Sequence, residues 1–191
     1  MSDHVSLEST RRRLTPKQAD TIARLGAAAL AVLRREGFSG LTIRMVAAEA
    51  GVGAATAYTY FSSKEHLITE VFWRRLASAP APAADVADPA TRAVAVLRDI
   101  ALLVADEPEL GVALTAALLG RNPDVEHLQT RIATEIRERL SAALGAAAHP
   151  DVVDALMMLW AGALVYTGMG YASFTEMADR LDKSARLILA N

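Results

Sequence analysis

The stretch Leu41-Thr-Ile-Arg-Met-Val-Ala-Ala-Glu-Ala-Gly-Val-Gly-Ala-Ala-Thr-Ala-Tyr-Thr-Tyr-Phe-Ser-Ser-Lys-Glu-His-Leu67 decides how this chain is read. Thr42 can cap a short helix carrying Ile43, Val46 and Ala47, and Gly51 stops it because glycine enters the left-handed region without a side-chain clash. A second short helix follows, from about Gly53 to Tyr60. Ala47 is small where the two helices cross, and Val52 can plug the space among three helices. That is the pattern of a helix-turn-helix, although a fortuitous helix pair would share the glycine and the alanine. Ser62-Ser63-Lys64-Glu65 then reads as a capping box in which the Ser62 hydroxyl and the Glu65 carboxylate satisfy backbone amides reciprocally. It opens a helix containing Leu67, Ile68, Val71 and Phe72 that runs to about Ser78.

Upstream, Ile22, Leu25, Ala29, Val32 and Leu33 recur at helical steps behind Thr15-Pro16, predicting a helix that Gly37 ends. Downstream, residues 79–89 mix Pro, Ala and Asp and suit a joint between two halves. Helical patterns then cover 90–105, 108–119, 123–145, 150–172 and 174–190, with no alternating strand pattern between them. The expected fold is all-α: an N-terminal three-helix helix-turn-helix domain plus a C-terminal helical ligand-binding and dimerisation domain, about nine helices in all. The expected parts are an arm (1–14), the helix-turn-helix domain with its connecting helix (15–78) and the effector-binding and dimerisation domain (79–191).

With 191 residues, 52% of them hydrophobic, the chain can bury a substantial core. The absence of cysteine excludes disulfides, thiolate zinc sites and thiol nucleophiles, and four scattered histidines leave little for an imidazole metal cluster. No metal, cofactor or catalytic activity is expected. The uncharged run from Ala155 to Thr175 is long enough for a bilayer, but its glycines and polar residues read as a buried helix. Met1 to Arg13 lacks an apolar secretion segment, so a cytoplasmic protein without a membrane partner is expected. The net charge of −2 argues against nucleic acid until the chain is divided. Residues 1–75 carry +4, and residues 76–191 carry −6.

The second short helix is odd for a core helix, because the small Gly53, Ala54 and Ala55 precede hydroxyls and phenols. Small residues allow a helix to approach the floor of a DNA major groove. Thr56 and Thr59 can bond phosphate or base edges, and the Ala55 methyl can touch a thymine methyl. Tyr58 and Tyr60 either reach backbone oxygens or are partly buried core aromatics. Thr42 and Arg44 open the preceding helix, where a phosphate can be clamped, and Lys64 can hold the opposite flank of the groove. Arg11-Arg12-Arg13 is either an arm that meets DNA or a solvated tail.

The succession Ala50-Gly51-Val52, Thr56, Tyr58, Tyr60-Phe61, Ser63-Lys64-Glu65 and Leu67 resembles the N-terminal domain of TetR-family transcriptional regulators, over about Thr15 to Val71. The resemblance implies a homodimer whose two helix-turn-helix units grip successive major grooves of a near-palindromic double-stranded operator. It also implies a C-terminal domain that dimerises and senses a small ligand. By position it makes Thr42, Arg44, Thr56, Tyr58, Tyr60 and Lys64 the DNA-contacting set. Where the family often has serine this chain has Gly53, which leaves open whether the helix starts there or one residue later.

In the C-terminal half, the 150–172 pattern is apolar on nearly every face, as suits a helix between its own core and a partner subunit. The last helix carries Phe174, Met177, Leu181, Ala185, Ile188 and Leu189 on one side, as a second member of an intersubunit bundle through about 150–190 would. Met157, Met158, Trp160 and Tyr166 either line an effector pocket or are plain core or dimer surface. The effector expected is small and apolar, lipid-like or aromatic. The reading is a ligand-responsive repressor released from DNA by that effector. A small helical carrier with a vestigial helix-turn-helix is the alternative, and a metal-dependent bundle enzyme is disfavoured because no Glu-x-x-His pair faces a second carboxylate set.

Overall fold

The computed structural model describes residues 15–81, 86–120 and 122–190. Helix α1 spans Pro16–Gly40, α2 Ile43–Glu49, α3 Ala54–Tyr60 and α4 Lys64–Ser78. They are followed by α5 Pro89–Leu102, α6 Pro108–Leu119, α7 Pro123–Leu144, α8 Pro150–Gly168 and α9 Phe174–Leu189. Among the described residues the chain is all-α, with nine α-helices, one 3₁₀ turn at Gly145–Ala147 and no strand. The Arg11-Arg12-Arg13 expectation lies outside them.

Proline sets most of the helix starts. Pro16, Pro89, Pro108, Pro123 and Pro150 each occupy the first helical position, where a missing amide hydrogen costs nothing and the fixed φ suits the helix. Thr15 completes a capping box with Gln18, and Asp88 caps α5 through the amides of Ala90 and Thr91.

Four boundaries differ from the sequence reading. Gly37 does interrupt α1, at φ 66° and ψ 175°, but a further turn carries the helix on to Gly40. The cap of α4 is Ser63, whose hydroxyl accepts from the His66 amide, and Ser62 instead meets the His66 ring at 3.2 Å. With Ser63 extended at the cap, Glu65 falls in the second position, and the expected Ser62–Glu65 box does not form. α5 stops at Leu102, leaving a corner to Glu107, and α8 stops at Gly168, with Gly170 at φ 84° turning the chain into α9.

The core is continuous from end to end. α4 lies at its centre, burying Leu67, Ile68, Phe72 and Leu76 and packing against α1, α6 and α7. α7 also ties both ends of α4. Asn122 Nδ2 donates to Ser63 Oγ at 3.1 Å, and Arg139 donates to the Leu76 and Ala79 carbonyls at 3.0 and 3.1 Å. These carbonyls end a helix, where a cation is favoured. Among the described residues α8 alone is long and apolar enough to cross a membrane by length and composition, but its Val153, Leu156, Trp160 and Leu164 are in this core.

The apolar side of α9 requires a correction. Phe174, Met177, Leu181 and Ala185 are buried within the chain itself, where α9 packs on α5 and α8. The stripe serves the protein's own core.

Candidate nucleic-acid interface

Three hydrogen bonds fold the turn between α2 and α3: Ala50 N to Val46 O, Gly51 N to Ala48 O and Val52 N to Ala47 O, at 2.9, 3.1 and 2.9 Å. The last needs the left-handed backbone that Gly51 adopts at φ 62°. Ala47 and Ala57 are both buried, so their small side chains face the interior as the two helices pack. Arg24 of α1 closes the turn from outside, its Nη2 donating to the Ala50 carbonyl at 2.5 Å and to Gly51 at 3.3 Å. The sequence reading counted Arg24 only as charge. Its partner lies 26 residues away, and no local spacing announces it.

α3 commits little of itself to the core. Only Ala57 is buried and Tyr60 half-buried; Ala54, Ala55, Thr56, Tyr58 and Thr59 are exposed. α3 starts at Ala54, one residue after Gly53, which caps it without a side-chain bond. The Thr56 hydroxyl and the Tyr58 and Tyr60 phenols have no hydrogen-bond partner among the described residues. Thr59 donates to the Ala55 carbonyl at 3.0 Å, so its oxygen is left to accept, as from a base amino group, while its proton is already used.

α2 and α4 flank this surface. The Thr42 oxygen accepts from the Met45 amide at 3.2 Å, which leaves its proton free for a phosphate oxygen. Arg44 is exposed with no partner among the described residues. Lys64 is placed differently from the expectation. Its ammonium donates to the Phe38 and Ser39 carbonyls at 2.9 and 3.3 Å and sits 4.6 Å from the Phe38 ring centroid. In this conformation it ties the end of α1 to α4, and it reaches a phosphate only by leaving those carbonyls. Thr42→Asp separates the two tasks of Thr42. The cap survives, so the melting temperature stays close to wild type, and a phosphate contact at Thr42 would show as a loss of DNA affinity of about tenfold.

The four candidate effector residues do not converge. Trp160 is in the core and Met157 is half-buried, whereas Met158 and Tyr166 line an open groove of about 550 Å³ between α8 and α9. Arg180 of α9 forms part of the groove wall and donates to the Tyr166 hydroxyl at 3.2 Å. Trp160 and Thr167 do not line this groove; their Nε1 and Oγ1 atoms are buried with no hydrogen-bond partner among the described residues. Among the described residues no three His, Cys, Asp or Glu side chains gather as a metal site would need.

Two short helices hinged on a left-handed glycine, one of them presenting small and hydroxylic residues to solvent, define a helix-turn-helix DNA-binding protein built wholly of helices. The chain belongs to the tetR family of bacterial regulatory proteins, whose model matches residues 25–71, and is a transcriptional regulator of that family. HTH-type transcriptional regulators of Mycobacterium bovis and Mycobacterium tuberculosis are each 46% identical to it over 98% of this chain and 87% of theirs. The fold is similar to that of a TetR transcriptional regulator from Rhodococcus sp. RHA1, with TM-score 0.72 at 22% identity, covering 88% of this chain and 97% of that one. It is also similar to FadR from Bacillus subtilis in complex with stearoyl-CoA, with TM-score 0.60 at 14% identity, covering 85% and 96%.

Proposed function

We propose that this regulator is a cytoplasmic repressor that binds a near-palindromic operator as a homodimer and is released by a small apolar effector. The observation that carries the reading is the exposed, structurally unused surface of α3. Ala54 and Ala55 allow close approach to the groove, Thr56 and Thr59 face the bases, and Tyr58, Tyr60, Thr42 and Arg44 reach phosphates. Lys64 joins them once it leaves the α1 carbonyls. In this reading residues 15–78 are the DNA-reading unit, 79–191 the sensing and dimerising unit, and 1–14 an arm.

For the dimer we assign the outer face of α8 and the turn that follows it, where Met158, Tyr166, Met169 and Tyr171 are exposed along with Ala161 and Gly162. Large apolar residues around a glycine suit close helix approach by a second copy. A Cβ at Gly162 meets nothing within 4 Å in one chain, so Gly162→Glu leaves the fold intact and shifts sedimentation from dimer to monomer. An unchanged dimer would place the interface elsewhere.

The effector reading rests on the buried Trp160 and Thr167 polar atoms. An unsatisfied buried donor costs about 1–3 kcal/mol, which a ligand bearing a hydrogen-bond acceptor would recover. A fold neighbour that holds stearoyl-CoA is consistent with a lipid-like class. A thermal-shift screen of fatty, steroid and aromatic compounds tests it, and a compound that stabilises the protein must also weaken its hold on the operator. Stabilisation without loss of DNA affinity would refute release by that compound.

A further inference from the structure

Glu107 is the N-cap residue of α6, yet its carboxylate caps nothing. The side chain, 8% exposed, is turned to Arg34 of α1, whose Nε donates to Oε2 at 2.8 Å and whose Nη2 donates to Oε1. In the same corner Arg75 of α4 donates from Nη1 to the Leu103 carbonyl at 2.6 Å and to Asp106 Oδ1 at 2.9 Å. The corner between α5 and α6 is therefore gripped twice, each time by an arginine from one of the two long helices that flank α2 and α3. Apolar packing of α1 and α4 on α6 holds the halves together in any case. The arginines add direction, because a two-pronged guanidinium–carboxylate pair tolerates little rotation and a buried carboxylate has no water to turn to. A cleft of about 280 Å³, walled by Val96, Ile100, Leu103 and Arg139, adjoins the same corner.

We propose that the corner from Leu103 to Glu107, held by Arg34 and Arg75, sets the orientation of α1–α3 relative to α5–α9. It thereby sets the spacing at which a dimer presents its two α3 helices, a consequence that rests on the reading of α3 as the helix that meets DNA. Arg34 and Arg75 are positioning residues in this scheme and act through the corner.

The absence of cysteine makes the test direct. Spin labels on Ala55→Cys in α3 and Glu138→Cys in α7, both at exposed positions, report the distance between the two halves by pulsed EPR when labelled chain is diluted into unlabelled chain. The expected wild-type distribution is narrow. Glu107→Gln and Arg75→Gln are each expected to broaden it about twofold or move its centre by a few ångströms, with helix content and cooperative melting retained. Arg34→Gln added to Glu107→Gln should change little more, since the pair is already broken. Unchanged distributions in both single variants, with only the melting temperature lowered, would overturn the proposal. The distances need no DNA, so a failure of operator binding would sink the functional reading and still leave this one decided.

Discussion

Gly111→Val is expected to lower the stability of the protein by about 3 kcal/mol, the upper part of the range for overpacking a core. Gly111 lies inside α6, where glycine is ordinarily a liability and a side chain a gain. The contact with α9 reverses the sign, because a Cβ at Gly111 would overlap the Phe174 ring. Phe174 is itself buried at the first position of α9, with little room to retreat. Gly168, whose added Cβ would stand 2.5 Å from Thr115 Cγ2, is the same device between α8 and α6. For a domain of this size the loss corresponds to a fall in melting temperature of roughly 6–12 °C. Gly26→Ala is the control. It sits within α1 with Val71 at an ordinary 3.6 Å, so it should stabilise by up to about 1 kcal/mol. Equal melting temperatures for Gly111→Val and wild type would mean that α6 and α9 do not approach as closely as described.

Ala55→Glu is expected to reduce operator affinity by about a hundredfold or more, because a carboxylate driven toward the groove meets phosphates and acceptor-rich base edges without a counter-charge. Ala55 is exposed and touches no core, and Glu is a good helix former, so folding and melting should be unaffected. Anisotropy of a labelled duplex and a thermal melt on the same sample separate the two effects. A variant that melts normally and binds DNA as well as wild type would remove α3 from the interface.

The helix-turn-helix was legible because its signals are local. Thr42 as cap, Gly51 as the left-handed residue and Ala47 as a small packing residue each act within a few positions of themselves, and all three hold in the structure. The Ser62–Glu65 box failed for an equally local reason, since two adjacent serines offered two caps and the backbone extended at Ser63. What escaped the sequence was long-range. Arg24, Arg34, Arg75 and Arg139 look alike in a charge count, and each ties segments from 26 to 73 residues apart. Glu107 before Pro108 carried one faint sign, because glutamate is not among the favoured capping residues. The apolar face of α9 was recognised as apolar but given to a second subunit, whereas it is buried within the chain. Periodicity shows that a stripe exists, and only packing shows whether α5 or another subunit covers it.

The most direct test of DNA recognition by α3 is the affinity of the protein for a duplex from the gene's own upstream region, measured against salt and against a scrambled duplex. Recognition by α3 predicts binding about 1,000-fold tighter than to the scrambled sequence at the same salt, weakening steeply as salt rises. Equal affinity for both duplexes, or affinity indifferent to salt, would contradict it.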